Sequence, residues 1–152
     1  MANDASVTVQ ATVLPDEIAK VISGSLTVSP ADADDKWYYK KTVIANSSGD
    51  LIDDGTNFIE YTARADGAIT SVHVDDKVKF LLVKNMEASG GADVYIVADN
   101  TAATTSNATA IKVAGGQIVC VSLPNTVVAN IHAISSTGTP TCIVAALIED
   151  VA

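Results

Sequence analysis

The sequence predicts an all-β fold, a β-sandwich or jelly roll of about 8–10 short antiparallel strands with one short helix near the N-terminus. Three observations carry this. Val, Ile and Thr supply 47 residues, against 24 for Leu, Glu, Lys, Gln, Met and Arg together; β-branched side chains lose rotamer freedom in helices and pack well on pleated surfaces. Turn signals recur from Ser47 to Gly138 at spacings that leave room for strands and little room for helices. The runs between these turns alternate apolar and polar residues or are continuously aliphatic, as half-buried and buried strands are. A chain of 152 residues is an ordinary domain's length, so 1–152 reads as a single sandwich with residues 1–5 as a flexible N-terminal arm.

The elements follow in order. Ser6–Val13 alternates Val7, Val9, Ala11 and Val13 with Thr8, Gln10 and Thr12, the period of a strand. Pro15-Asp16-Glu17 suits a helix start, Ile18, Val21 and Ile22 fall at helical spacing and Gly24 closes the segment, so a helix of about two turns is expected over Pro15–Ser23. Leu26–Ser29 is a short strand stopped by Pro30, an acidic loop follows, and Lys36–Ala45 is extended. Further strands are expected at Phe58–Ala63, Ala68–Val74, Val78–Lys84, Asp93–Ala98, Ala108–Val113, Gln117–Leu123, Val127–Ile134 and Thr141–Ile148. Asp99–Asn107, rich in Thr, Ala, Ser and Asn, reads as a surface loop.

Composition narrows function. With 48% hydrophobic and 18% charged residues the chain is too apolar for disorder, and no apolar run reaches the ~20 residues of a membrane helix. A net charge of −9 with Arg64 as the lone arginine argues against nucleic acid and against anionic membranes, both of which need clustered cations. Met1 to Ala5 carries no basic stretch leading into an apolar one, so cytoplasmic synthesis is expected. Cys120 and Cys142, both in aliphatic runs, are expected to be buried reduced thiols, with one disulfide as the alternative. From Asn85 onward only six of 68 residues are charged. Either a Thr- and Ser-rich surface does the solvating or another subunit covers part of this half.

Chemistry leaves little trace. The sequence holds no nucleophile elbow, P-loop, dinucleotide fingerprint, HExxH or CxxC motif. His73 and His132 have the alternation of strand residues and read as surface or partly buried fillers. Asp32, Asp34 and Asp35, and Asp53, Asp54, Thr56 and Asn57 around Gly55, offer oxygens to a hard cation but lack the spacing of a calcium loop, so they read as solvated turn acids. No catalytic residue, cofactor or metal is therefore expected. The conspicuous segment is Lys36-Trp37-Tyr38-Tyr39-Lys40-Lys41, with the lone Trp, two of four Tyr and three of nine cations. Trp37, Tyr38 and Tyr39 are either core residues flanked by snorkelling lysines or anchors for an acidic partner or a sugar. Asn3 and Asp4, in a segment Ala2–Val9 poor in large apolar residues, are further candidate partner contacts, on an arm expected to add to a neighbour on docking.

From Val78 to Asp150 runs Phe80-Leu81-Leu82-Val83-Lys84-Asn85, then Ala92-Asp93-Val94-Tyr95-Ile96, Ile111-Lys112-Val113-Ala114-Gly115-Gly116 and Val119-Cys120-Val121-Ser122-Leu123. Ile131-His132-Ala133-Ile134-Ser135-Ser136-Thr137-Gly138-Thr139 and a terminal aliphatic strand ending Glu149-Asp150 follow. This cadence, over about half the chain, resembles accessory head and tail proteins of tailed bacteriophages. The resemblance implies a capsid decoration (cement) protein, a non-enzymatic jelly roll, commonly a homotrimer, on the capsid exterior where it bridges major capsid subunits. Alternatives are a carbohydrate-binding or adhesive module of a tail fibre or cell surface, stacking sugars on Trp37, Tyr38 and Tyr39, and a tail-tube or pilus-like subunit that polymerises through strand edges.

Overall fold

The structure, a computed structural model, describes residues 4–13, 20–59 and 70–151. Its strands are β1 (Ala5–Val13), β2 (Lys20–Val28), β3 (Asp35–Val43), β4 (Gly49–Asp50), β5 (Lys77–Asn85), β6 (Val94–Val97), β7 (Ile111–Val113), β8 (Ile118–Val127), β9 (His132–Ser135) and β10 (Thr141–Glu149). A single 3₁₀ turn, Val128–Asn130, is the one helical element among the described residues. The all-β prediction holds. Two compact units divide the chain, Met1–Ala33 and Asp34–Ala152, where the sequence pointed to one domain over 1–152.

In the first unit, β1 and β2 pair antiparallel over nine residue pairs, from Ala5 with Val28 to Val13 with Lys20. The helix expected over Pro15–Ser23 is corrected here. Residues 15–19 lie outside the described residues, but Lys20 to Ser23 begin β2. Val21 and Ile22 fit a helical period and a strand equally well; their β-branching and the ladder offered by the alternating β1 decide for the strand. The expected flexible arm over 1–5 lies largely outside the described residues, and Ala5 already belongs to β1.

The second unit is a jelly roll. Its eight strands form two four-stranded sheets, β3-β10-β5-β8 and β4-β9-β6-β7. The outermost strands in sequence pair first, β3 with β10, then β4 with β9, β5 with β8 and β6 with β7, all antiparallel. Such nesting is a long hairpin folded over on itself, the double Greek key of the jelly roll. One core lies between the sheets. Cys142, Val144, Ala146 and Ile148 of β10 enter it at every second position, meeting Tyr38 of β3, Val78, Leu81 and Val83 of β5, and Val94, Ile96, Val113 and Ala133 of the other sheet. Each such aliphatic side chain contributes about 1.5–3 kcal/mol when removed from water.

Several polar devices hold the sheets in register. Asn85, fully buried at the end of β5, donates from Nδ2 to the carbonyls of Ala92 (2.8 Å) and Val113 (3.1 Å), while its Oδ1 accepts from the Glu87 N–H (3.1 Å). It thereby ties one sheet to the strand edge of the other. Buried Asp76 accepts from the backbone N–H of His73 (2.8 Å) and of Val151 (3.1 Å), fastening the end of the chain that leaves β10. Gly115 lets the β7–β8 turn approach residue 88: a Cβ there would stand 2.2 Å from the Ala88 carbonyl oxygen, so no side chain fits.

Some predicted strands are shortened. Ala108–Val113 retains only Ile111–Val113, and the 3₁₀ turn interrupts Val127–Ile134. Of Phe58–Ala63 and Ala68–Val74, residues 60–69 lie outside the described residues, and the described remainder forms only the bridge between Asn57 and Ser71. Asp99–Asn107 is a loop, as expected.

A bulge between Val78 and Phe80 leaves Lys79 out of the β5 ladder and directs it to a buried carboxylate. Lys79 Nζ reaches Asp35 at 2.7 Å and Glu149 at 3.1 Å, with the Asp35 side chain almost wholly enclosed. These contacts, the hydrogen bond to Asp35 foremost, raise the Lys79 pKa. Removing the cation takes the ammonium partner from a buried carboxylate. Lys79→Met should lower unfolding stability by about 2–3 kcal/mol in chemical denaturation at neutral pH, and Asp35→Asn in the same chain should restore most of it.

Candidate interaction surface

Sheet β3-β10-β5-β8 has a second face, directed away from the core, and its residues are fixed by the same alternation. One row across the strands is Trp37, Leu147 and Phe80, directly paired in the ladders. All three are buried, and Trp37 packs edge to face on Phe80 with ring centroids 6.4 Å apart. The next row is Tyr39, Ala145, Leu82 and Cys120, and the one beyond is Lys41, Ile143, Lys84 and Ile118. Here the face opens to solvent: Tyr39 is 48% exposed, Ile118 60% and Val43, one row further, 63%. Lys41 and Lys84 stand exposed on either side of Ile143, and neither pairs with a carboxylate among the described residues. Two strand spacings, roughly 10 Å, separate their backbones. An apolar, tyrosine-bearing platform with two unpaired cations therefore lies on the surface of a chain whose net charge is −9.

The candidate residues read from sequence separate sharply on this frame. Tyr38 points into the core and is fully buried, its hydroxyl accepting from the Asp53 N–H (3.3 Å); burial raises its pKa. Trp37 is 7% exposed. The partner-contact role considered for these two is corrected, because consecutive strand residues face opposite sides and both sides are packed at this end of β3. Tyr39 alone of the three presents its ring to solvent. Asp4 is exposed, and Asn3 lies outside the described residues. Lys41 belongs to the conspicuous Lys36–Lys41 segment, but Val43, Lys84 and Ile118 were not singled out in advance. They are far apart in sequence, and only the β3-β10-β5-β8 order makes them neighbours.

The remaining polar groups are placed locally. Lys36 bonds Asp150 and Thr70 (2.8 Å) and lies over the Phe58 ring, and Lys40 pairs with Asp53. Asp99 receives hydrogen bonds from Thr101 and Thr109, which lower its pKa. His73 lies 3.6 Å from Asp75, and His132 Nε2 lies 3.4 Å from Asp50. Among the described residues no group of three or more His, Cys, Asp or Glu side chains is placed to hold a metal ion. Both cysteines are free; Cys142 is buried in the core, while Cys120 is half-buried on the outer face, where the sequence suggested two buried thiols. Comparison with protein-family models, curated proteins and solved structures finds no match to this chain.

Two expectations follow. Trp37→Asp should cost about 3–5 kcal/mol of stability, since it buries a charge where an aromatic pair packs, whereas Tyr39→Asp should leave the denaturation midpoint within about 1 kcal/mol of the parent. Burial pushes the Cys142 thiol up to about 11 from 9.0. The folded state thus holds this proton more tightly than the unfolded state, so the associated stability is complete below pH 9 and is lost as pH rises toward 11. Denaturation across that range should show a falling midpoint, and Cys142→Val should remove about 2–3 kcal/mol of the loss.

Proposed function

We propose that this chain is a non-enzymatic structural protein of a virion, a decoration protein that docks on the outside of a capsid and bridges its major subunits. The observation that carries the reading is the open face around Tyr39, Val43, Ile143 and Ile118 with Lys41 and Lys84 beside it. Rigid aromatic and aliphatic surface rimmed by unpaired cations suits attachment to an acidic, flat protein lattice. The jelly roll supports the platform on two packed four-stranded sheets. Attachment would stabilise a shell by mass action, since a protein that binds only the assembled lattice lowers its free energy relative to the dissociated state. The adhesive alternative is left with one ring, Tyr39, as its sugar platform. The strand-edge alternative is favoured by one feature: β1 and β2 have no further strand neighbour among the described residues.

Mass spectrometry of purified particles tests the proposal. The chain should be present at a copy number that matches a symmetry axis of the head, and Tyr39→Asp with Lys84→Glu should reduce that number severely while the protein stays folded. Absence from particles, or incorporation indifferent to both substitutions, contradicts it.

A further inference from the structure

One end of the β3-β10-β5-β8 sheet brings an amine and two carboxyls together. The ladder sets Asp35 of β3 directly opposite Glu149 of β10, and the bulge in β5 adds Lys79 beside them. Lys79 Nζ stands 2.7 Å from Asp35 Oδ1 and 3.1 Å from Glu149 Oε2. The two carboxyls differ in access to water: the Asp35 side chain is 1% exposed and that of Glu149 29%. The next row of the same face is the buried Trp37, Leu147 and Phe80, so apolar side chains border the site along the strands. An ordinary ion pair needs one carboxylate; here one lysine has two, held by different strands and unequally enclosed.

We propose that these three side chains build an amide cross-link between Lys79 and Asp35, with Glu149 as the proton carrier. The ion pair is the state before reaction and is what the freshly folded chain holds. An amine, a carboxyl and a second acid in contact are the nucleophile, electrophile and general base that condensation requires. The ammonium passes one proton to the Asp35 carboxylate, leaving a neutral amine and a carboxylic acid. The amine nitrogen attacks the Asp35 carboxyl carbon and hands its second proton to Glu149, which delivers it to the departing hydroxyl. One C–N bond forms, one C–O bond breaks, one water leaves, and Glu149 ends as it began. No co-reactant enters.

Distance and burial favour the step. The carboxyl carbon lies one C–O bond, about 1.2 Å, from the oxygen that Lys79 touches, so nitrogen and carbon are at most ~4 Å apart. Reacting atoms held at roughly 3–3.5 Å attain effective molarities on the order of 10⁵–10⁸ M, which outweighs the molarity of the water that opposes condensation. Enclosure favours the neutral amine–acid pair, since a buried ion pair has given up the hydration of both charges. Burial also assigns the carboxyl roles. Asp35, screened from water, is protected from hydrolysis once joined, whereas Glu149, partly exposed, trades protons with solvent and marks the way out for the released water. The bond joins β3, whose one strand neighbour among the described residues is β10, to β5 on the far side of β10. It closes residues 35–79 into a ring, and a ring constrains the unfolded chain.

This inference does not rest on the capsid reading and is tested on the full chain alone. Intact-mass spectrometry follows the refolded protein over days at neutral pH. The mass should fall by one water from that of the sequence, and tandem spectra of a digest should show a branched peptide joining residues 35 and 79. Lys79→Arg keeps the positive charge but offers no reactive amine, so it should retain the full mass with the near-ultraviolet signal of buried Trp37 unchanged. Glu149→Gln should slow the loss by about 10²-fold or more. Lys77→Ala, opposite Glu149 in the ladder but outside the bulge, should leave the reaction intact. The branched peptide is read on the parent itself and stands whether or not each variant folds. A parent that keeps its full mass, a rate indifferent to Glu149→Gln, or a water lost elsewhere, as in an imide at Asp54-Gly55 or in Lys79→Arg, overturns the inference.

Discussion

The strict alternation of β10 is the constraint on which the jelly roll depends. This strand lies between β3 and β5, pairing with both along nearly its whole length, and sends Cys142, Val144, Ala146 and Ile148 inward while Leu147 fills the Trp37–Phe80 row on the other side. A shift of one residue would exchange those sets and bring Thr141 and Glu149 toward the core. Register is therefore specified from both faces at once, and the nested pairing of the other strands follows from β10 being held in the middle of its sheet. Polar fasteners complete this arrangement at the margins: Asp35 with Lys79 at the bulge, Asn85 between the sheets, and Asp76 where the chain leaves β10.

Much of the fold was legible because β-structure announces itself by a period of two and by its turns. Val78–Lys84, Gln117–Leu123 and Thr141–Ile148 match β5, β8 and β10 within a few residues, since each is aliphatic and bounded by a turn or a charge. Val21 and Ile22 misled because a two-turn helix and a short strand make the same demand on so few apolar positions, and a good helix start at Pro15 outweighed β-branching. The deciding partner, β1, lies across the chain from them and exerts no influence on a local pattern. The two-residue strand β4 sits where Ser48-Gly49-Asp50 reads as a turn; its pairing with β9 is purely tertiary.

The candidate surface was half legible. Composition drew attention to Trp37-Tyr38-Tyr39, and the two readings of that cluster, core or contact, turn out to apply to different members. Alternation alone puts Tyr38 opposite Trp37 and Tyr39, but it does not separate buried Trp37, packed on Phe80, from exposed Tyr39 on the shared face. Lys84 and Ile118 carry no sequence signal, because a solvated lysine and an isolated exposed isoleucine are ordinary surface features until strand order gathers them. Composition singled out the charge-poor half from Asn85 onward, which includes Ile118, whereas the start of β2 went unread because its first residues fall in the segment expected to be helical.

The stability of the second unit, Asp34–Ala152, is thus traced to β10. Amide hydrogen exchange addresses that claim most directly. The account predicts that β10 amides exchange slowest of all the strands, while those of the two-stranded β1–β2 sheet exchange far faster. β10 amides that exchange as fast as those of β1 and β2 would contradict it.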